Sequence, residues 1–269
     1  MSNTIRVLTW NVRRAHRTNS VWNYLQELSP DVAVLQEVSS IPENILLNYA
    51  IKSKYATGKK GNPQKFSTVI LVRGRIGDEI LLFSDKLWVS KELCYFSGNL
   101  VASQILPDKG PPIKVVSVYS PAWPANPERL KNIDVTGVKL TDNPDVWVHD
   151  LLWVGLSHLR PHPDESWIVA GDFNASETFD VTFGSGNKEL LKRMSNLGLI
   201  ECLRYSKGKL TPTYKNVNNK KIEHQIDHLF VTSILAQRLI KCDVRDRARV
   251  FDKGLSDHLP IIADFRLPD

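Results

Sequence analysis

The chain has 269 residues, 42% hydrophobic and 24% charged, the balance of an ordinary globular protein rather than a disordered, collagenous or coiled-coil chain. Lysine and arginine number 35 against 29 acids, a formal charge of +6, and no apolar run approaches the roughly 20 residues that a membrane helix needs. The first residues carry no apolar core of secretory type. Cys94, Cys202 and Cys242 are scattered and odd in number, fitting neither a disulfide framework nor a zinc spacing, so a reducing, cytoplasmic setting is expected.

In chain order, Ile5 to Trp10 alternates apolar and polar residues as a half-buried strand does. Val21, Trp22, Leu25 and Leu28 follow helical spacing, with Asn19 or Ser20 placed to cap them. Strands are then expected at Asp31–Gln36, Thr68–Arg73, Glu79–Phe83, Asn99–Leu106 and Ile113–Tyr119. A turn is expected at Pro107–Pro112 and a loop from Ser120 to Pro127, where Pro121 and Pro124 oppose helix. Asp145–Leu159 has the clearest helical stripe, Trp167–Asp172 reads as a strand, and Lys188–Asn196 as a helix. Ile226–Thr232 and Pro260–Arg266 are late strands. Strands dominate and nothing splits the chain, which predicts one domain over residues 1–269, with two sheets packed face to face and helices outside.

Several strands end in polar groups that an apolar core does not require. Asn11, Glu37, Tyr119, Asp172 and Asn174 stand at or just beyond strand ends; Asp227 opens a strand, and Asp257-His258 precedes the last one. Taken singly, such residues are ordinary turn and cap formers. Gathered at one rim, acids and amides are what Mg²⁺, a cation of oxygen ligands, requires. A histidine beside carboxylates holds or trades a proton near neutral pH.

The blocks Thr9-Trp10-Asn11-Val12, Leu35-Gln36-Glu37-Val38, Gly171-Asp172-Phe173-Asn174, Ile226-Asp227-His228 and Ser256-Asp257-His258-Leu259-Pro260 resemble, in that order, the endonuclease/exonuclease/phosphatase superfamily. Pancreatic-type DNase, abasic-site endonucleases, poly(A)-shortening nucleases, sphingomyelinases and inositol phosphatases belong to it. Each block alone is weak; five in order across residues 8–262 are specific. The resemblance implies a four-layer α/β sandwich, two mixed β-sheets with helices outside, and Mg²⁺- or Mn²⁺-dependent hydrolysis of a phosphoester. It assigns Glu37 as principal metal ligand, with Asn11 beside it and Asp257 sharing the metal. Asp172 would orient or deprotonate the attacking water and Asn174 would hold the phosphate. His258, oriented by Asp227, would face the phosphate. Tyr119 stands where some branches place a catalytic histidine and the abasic-site branch a tyrosine. Arg13 is a departure: the abasic-site branch usually has an acid there, which argues against abasic-site specificity. His228 is a second, and strand alternation should turn it into packing.

The positive charge is local. Arg13–Arg17, Lys52–Lys65 and Arg204–Lys221 together hold fourteen bases and no acid, leaving 21 bases against 29 acids, a net −8, elsewhere. Basic loops near a phosphate-cleaving site suit a polyanion, and Tyr55, Phe66, Tyr205 and Tyr214 are interleaved as candidate stacking groups. Arg13, Arg14, Lys59, Lys60 and Trp123 are therefore expected to touch substrate, and the partner is expected to be nucleic acid, without a membrane. The leading expectation is a metal-dependent DNA or RNA endonuclease or exonuclease. The alternatives are a small-molecule or lipid phosphohydrolase on the same fold and an inactive nucleic-acid-binding module.

Overall fold

The computed structural model describes residues 3–183 and 186–268. Its strands form two six-stranded sheets. The first contains β1 (Thr4–Ala15), β2 (Val32–Val38), β3 (Ala50–Thr57), β4 (Pro63–Val72), β11 (Leu239–Val244) and β12 (Ile261–Arg266), in the order β11-β12-β1-β2-β4-β3. The second contains β5 (Gly74–Glu79), β6 (Leu100–Pro107), β7 (Ile113–Tyr119), β8 (Trp167–Asp172), β9 (Ile200–Glu201) and β10 (Asp227–Val231), in the order β5-β6-β7-β8-β10-β9. Both are mixed: β1 runs parallel to β2 and β7 to β8, among antiparallel neighbours.

The sheets pack face to face through Val7, Val34, Ile70, Val115, Ile168 and Ile261, among others, all buried. Their outer faces are covered in turn. Helix α1 (Val21–Leu28) lays Val21, Trp22 and Leu25 over Leu8, Trp10 and Leu35. On the other side α3 (Leu87–Tyr95), α4 (Val148–Leu159) and α6 (Asn187–Asn196) cover Val116, Val118, Val169 and Phe230, while the short helices α2 (Glu43–Leu46) and α5 (Glu177–Phe183) follow β2 and β8. Central strands are therefore buried on both faces, and β2 and β8 read as near-continuous apolar runs. This is the expected four-layer sandwich. No helix among the described residues is long and apolar enough to cross a membrane.

The sequence misplaced some elements. Glu79–Phe83 is not a strand; β5 ends at Glu79, and only Ile80 continues to bond Ala102. The alternation there is real, since Ile80 and Leu82 pack on the helical core while Leu81 and Phe83 face solvent, but no neighbouring ladder makes it a strand. The edge strands β3 and β11 carry lysines, half-buried Lys52 and Lys54 in the one and exposed Lys241 in the other, and escape an apolar-pattern search. β4 starts at Pro63, five residues before the expected Thr68. Helix α4 starts at Val148, not Asp145, because Asp150 accepts a hydrogen bond from the Trp147 amide and caps the helix there.

Candidate active site at the strand ends

Backbone register assembles the candidate site. Tyr119 lies opposite Asp172, and Asp172 opposite Asp227, so the ends of β7, β8 and β10 carry three candidate side chains in one row. The facing sheet brings Asn11 and Glu37 to the same rim from β1 and β2. His228 follows Asp227 and turns to the opposite face, where its ring meets Phe173 and Phe230, the packing position expected of it.

Asn11 joins the sheets. Its amide nitrogen donates to Asp172 Oδ2 at 2.9 Å and lies 3.4 Å from Glu37 Oε1. Its carbonyl oxygen accepts from the Arg13 amide at 3.0 Å. Asn174 N donates to Asp172 Oδ1 at 3.0 Å, while its side-chain amide donates to the Ser120 carbonyl at 2.6 Å. His258 Nδ1 lies 3.0 Å from both oxygens of Asp227, and Thr213 Oγ1 donates to Asp227 Oδ2 at 2.7 Å.

The loop bearing His258 is fixed on three sides. Trp10 Nε1 donates to the His258 carbonyl, Ser256 Oγ donates to the Asn11 carbonyl, and the Leu259 amide donates to the Thr213 carbonyl. The segment around Tyr214 thus runs beside His258, with the two rings 5.0 Å apart. Tyr214, a candidate stacking group in the sequence, stands here against His258. Ser256 falls inside the Ser256-Asp257-His258 block, and Thr213 and Ser120 have no sequence signal beyond their distant partners.

Backbone strain concentrates here. Arg13, Arg14, Glu37 and Asn174 all adopt left-handed φ of 47–56°, and the β1–β2 register shifts between Asn11 and Ala15. Non-glycine residues hold such angles only where surrounding bonds over-determine them.

Electrostatics follow from burial. Burial pushes the Asp172 carboxyl up to about 7, with Asp227 adding and His258 opposing. Burial alone would lower His258; the charges of Asp227 and Asp172 and the Asp227 hydrogen bond outweigh it and lift the imidazole to about 10. Burial also raises the Tyr119 phenol, helped by Glu37 and Asp172, so it stays protonated. Asp172, Asp227 and His258 are the one group of three histidine, cysteine or carboxylate side chains whose ligand atoms lie within 4.8 Å of one another among the described residues. With its imidazole held as a cation by Asp227 and Asp172, that trio forms a buried ion network.

A hard cation fits elsewhere. The Glu37 carboxylate is partly exposed, next to the Asn11 amide, and Mg²⁺ needs only one or two carboxylates plus waters. Asp257 is equally accessible, its oxygen 3.7 Å from Arg13 Nε.

The basic segments divide. Arg14, Lys59, Lys60 and Lys65 line a groove of about 510 Å³ together with Phe66. Lys52 and Lys54 instead pair with Glu79. Arg204 pairs with Glu177 and Lys207 with Asp243, so part of the third segment is held by acids away from the site. Phe66 is buried edge-on against Tyr119 and offers no stacking face. Trp123 is half-buried in the loop after β7, its indole nitrogen buried without a hydrogen-bond partner among the described residues. Lys59 and Lys60 are exposed at the tip between β3 and β4.

Set beside known proteins, residues 8–258 match the endonuclease/exonuclease/phosphatase family model. The chain belongs to that family. The comparison with curated proteins gives no match. Among solved structures, an AP endonuclease from Archaeoglobus fulgidus is similar at TM-score 0.70 and 18% identity, over 98% of this chain and all of the other. A 3′ phosphatase from Neisseria, bound to a product DNA hairpin, is similar at TM-score 0.67 and 18% identity, over 97% and 99% of the two chains. A 3′–5′ exonuclease from Neisseria meningitidis is similar at 0.66 and 18% identity, over the same shares. At such identity these likenesses bear on the fold.

Proposed function

We propose that this chain, one domain over residues 1–269, is a metal-dependent phosphodiesterase that hydrolyses DNA or RNA by attack of an activated water. The observation that carries the reading is the buried cluster Asp172–Asp227–His258, joined to Glu37 through Asn11, which sets a cation and an acid side by side at one rim. Glu37, with Asn11 and Asp257, would hold Mg²⁺ or Mn²⁺, which supplies charge for the non-bridging phosphate oxygens. Asp172, with a carboxyl near neutrality, orients the attacking water and accepts its proton. His258, kept cationic by Asp227, stabilises the charge that develops on the phosphate. Tyr119 keeps its proton and so remains a donor, and Asn174 holds the phosphate. Arg13, Arg14, Lys59, Lys60 and Trp123 contact the strand. The DNA hairpin on the Neisseria phosphatase supports a nucleic-acid partner, and the free, exposed Cys94 suits the cytoplasm.

The test is a gel assay with Mg²⁺ and end-labelled single-stranded DNA, duplex DNA, abasic duplex and RNA, with Glu37→Ala as control. At least one lane should be cleaved by the native protein, spared by the variant and spared in EDTA; the ladder then separates endo from exo cleavage. Cleavage undiminished in EDTA would overturn the role given to Glu37.

A second reading has its own observation. A pocket of about 330 Å³ beside Asn174, lined by Trp147, His149 and Phe179, suits a small-molecule phosphoester. Release of inorganic phosphate from monoesters, with every polynucleotide intact, would favour it.

A further inference from the structure

Arg13 and Arg14 leave β1 on left-handed backbone, φ 49° and 56°, and each meets a different carboxylate. Arg14 Nε lies 3.7 Å from Glu37 Oε2, and Arg13 Nε lies 3.7 Å from Asp257 Oδ2. Both contacts are loose. Neither is a hydrogen bond, and the arginine side chains are 54% and 70% exposed while the carboxylates are 18% exposed. Exposed ion pairs of this kind contribute little to stability. Behind each arginine lies a basic groove. Arg14 shares one with Lys59, Lys60 and Lys65, and its guanidinium sits 5.6 Å from the Phe66 ring centre. Arg13 shares another with Lys215 and Lys220. Each guanidinium therefore meets both a carboxylate suited to a divalent cation and a groove suited to phosphates, Asp257 itself lining the second groove.

The charges cannot all be satisfied at once. A divalent cation held by Glu37 or Asp257 would repel a guanidinium at this distance and compete with it for the carboxylate. The released arginine still has a planar fork of donors, the geometry that grips a phosphate bidentately. A loose, exposed pair costs little to break, so the exchange has a low threshold.

We propose that Arg13 and Arg14 couple cation binding to phosphate binding: they neutralise Asp257 and Glu37 while the cation is absent and turn to the backbone of a polyanion when it binds. This rests on reading the site as a metal-dependent phosphodiesterase. By linkage, the cation tightens the polyanion by the same factor as the polyanion tightens the cation.

The test measures Mn²⁺ affinity of the full chain by electron paramagnetic resonance, without substrate. Arg14→Gln removes the competing charge and should bind Mn²⁺ about three- to tenfold tighter than the native protein, with Arg13→Gln behaving likewise. Arg14→Lys keeps the charge and should stay close to native affinity, which separates loss of charge from a disturbed bulge. In parallel, anisotropy of a labelled, hydrolysis-resistant phosphorothioate DNA strand should report tighter binding with Mg²⁺ in the native protein, and a smaller Mg²⁺ effect in Arg14→Gln. Native-like Mn²⁺ affinity in both glutamine variants, or weaker affinity, overturns the coupling while leaving the metal site standing. No Mn²⁺ binding by the native protein overturns the functional reading itself.

Discussion

Asp227 has two tasks at one carboxylate. Both its oxygens lie 3.0 Å from His258 Nδ1, and one also accepts from Thr213. Its charge is among the forces that hold the imidazole cationic against burial. Asp227→Asn keeps the shape and removes the charge. Phosphodiester cleavage should then fall about 10²- to 10⁴-fold, the usual worth of a positioned proton-transfer or charged group, with an unchanged circular dichroism spectrum. Activity within twofold of native would remove Asp227 from the reaction. At this scale the site was partly legible. Asn11, Glu37, Asp172 and His258 stood in recognisable blocks, whereas Thr213 lay inside a stretch that read only as a basic loop. A threonine gains its role from an acceptor fourteen residues away, and no local pattern records that partner.

Among elements, the β7–β8 contact and the start of α4 are the sensitive points. Gly171 adopts φ 148°, and a Cβ there would lie 1.9 Å from the Val118 carbonyl oxygen. That oxygen is backbone and cannot move without parting the two strands that carry Tyr119 and Asp172. Gly171→Ala should cost upwards of about 4 kcal/mol, read as insoluble protein or a large fall in melting temperature; a native melting curve would refute the close approach. At α4, burial lifts the Asp150 carboxyl from its ordinary 3.8 to about 7, only partly offset by the Trp147 amide. The folded state thus holds a proton that the unfolded state has lost between those values. Stability therefore falls as pH rises from about 4 to 7 and remains lowered above. Asp150→Asn keeps an acceptor for the Trp147 amide and carries no charge. It should stabilise the protein by roughly 2–4 kcal/mol near pH 8 and hardly at all near pH 4, measured by urea unfolding at both values. An equal effect at the two pH values would mean that Asp150 does not titrate in this range.

Over the whole molecule, the net charge of +6 says less than its distribution. The sequence grouped fourteen bases in three segments; the fold ties Lys52, Lys54, Arg204 and Lys207 to acids and leaves Lys59 and Lys60 exposed at a groove beside the site. Lys59→Ala with Lys60→Ala should lower the salt slope of DNA binding by about 1.4 to 1.8, the value for two lost phosphate contacts. Lys207→Ala should leave it unchanged. Equal slopes for the native protein and the double variant would take the groove out of the binding surface.

The sequence by itself determined the central strands, the order of five site blocks and the sandwich they imply, because buried strands need continuous or alternating apolar residues that local pattern exposes. It could not register β3 and β11, whose lysine-bearing edges carry little of that pattern. It placed a strand at Glu79–Phe83 because alternation records which side chains are buried, not whether a ladder lies alongside. Tertiary structure alone decided that Asp172 faces Asp227, that Arg13 and Arg14 meet different carboxylates, and which lysines are already paired. Those outcomes depend on strand register and on charges brought together from distant segments, and through-space electrostatics has no signature in the spacing of residues along a chain.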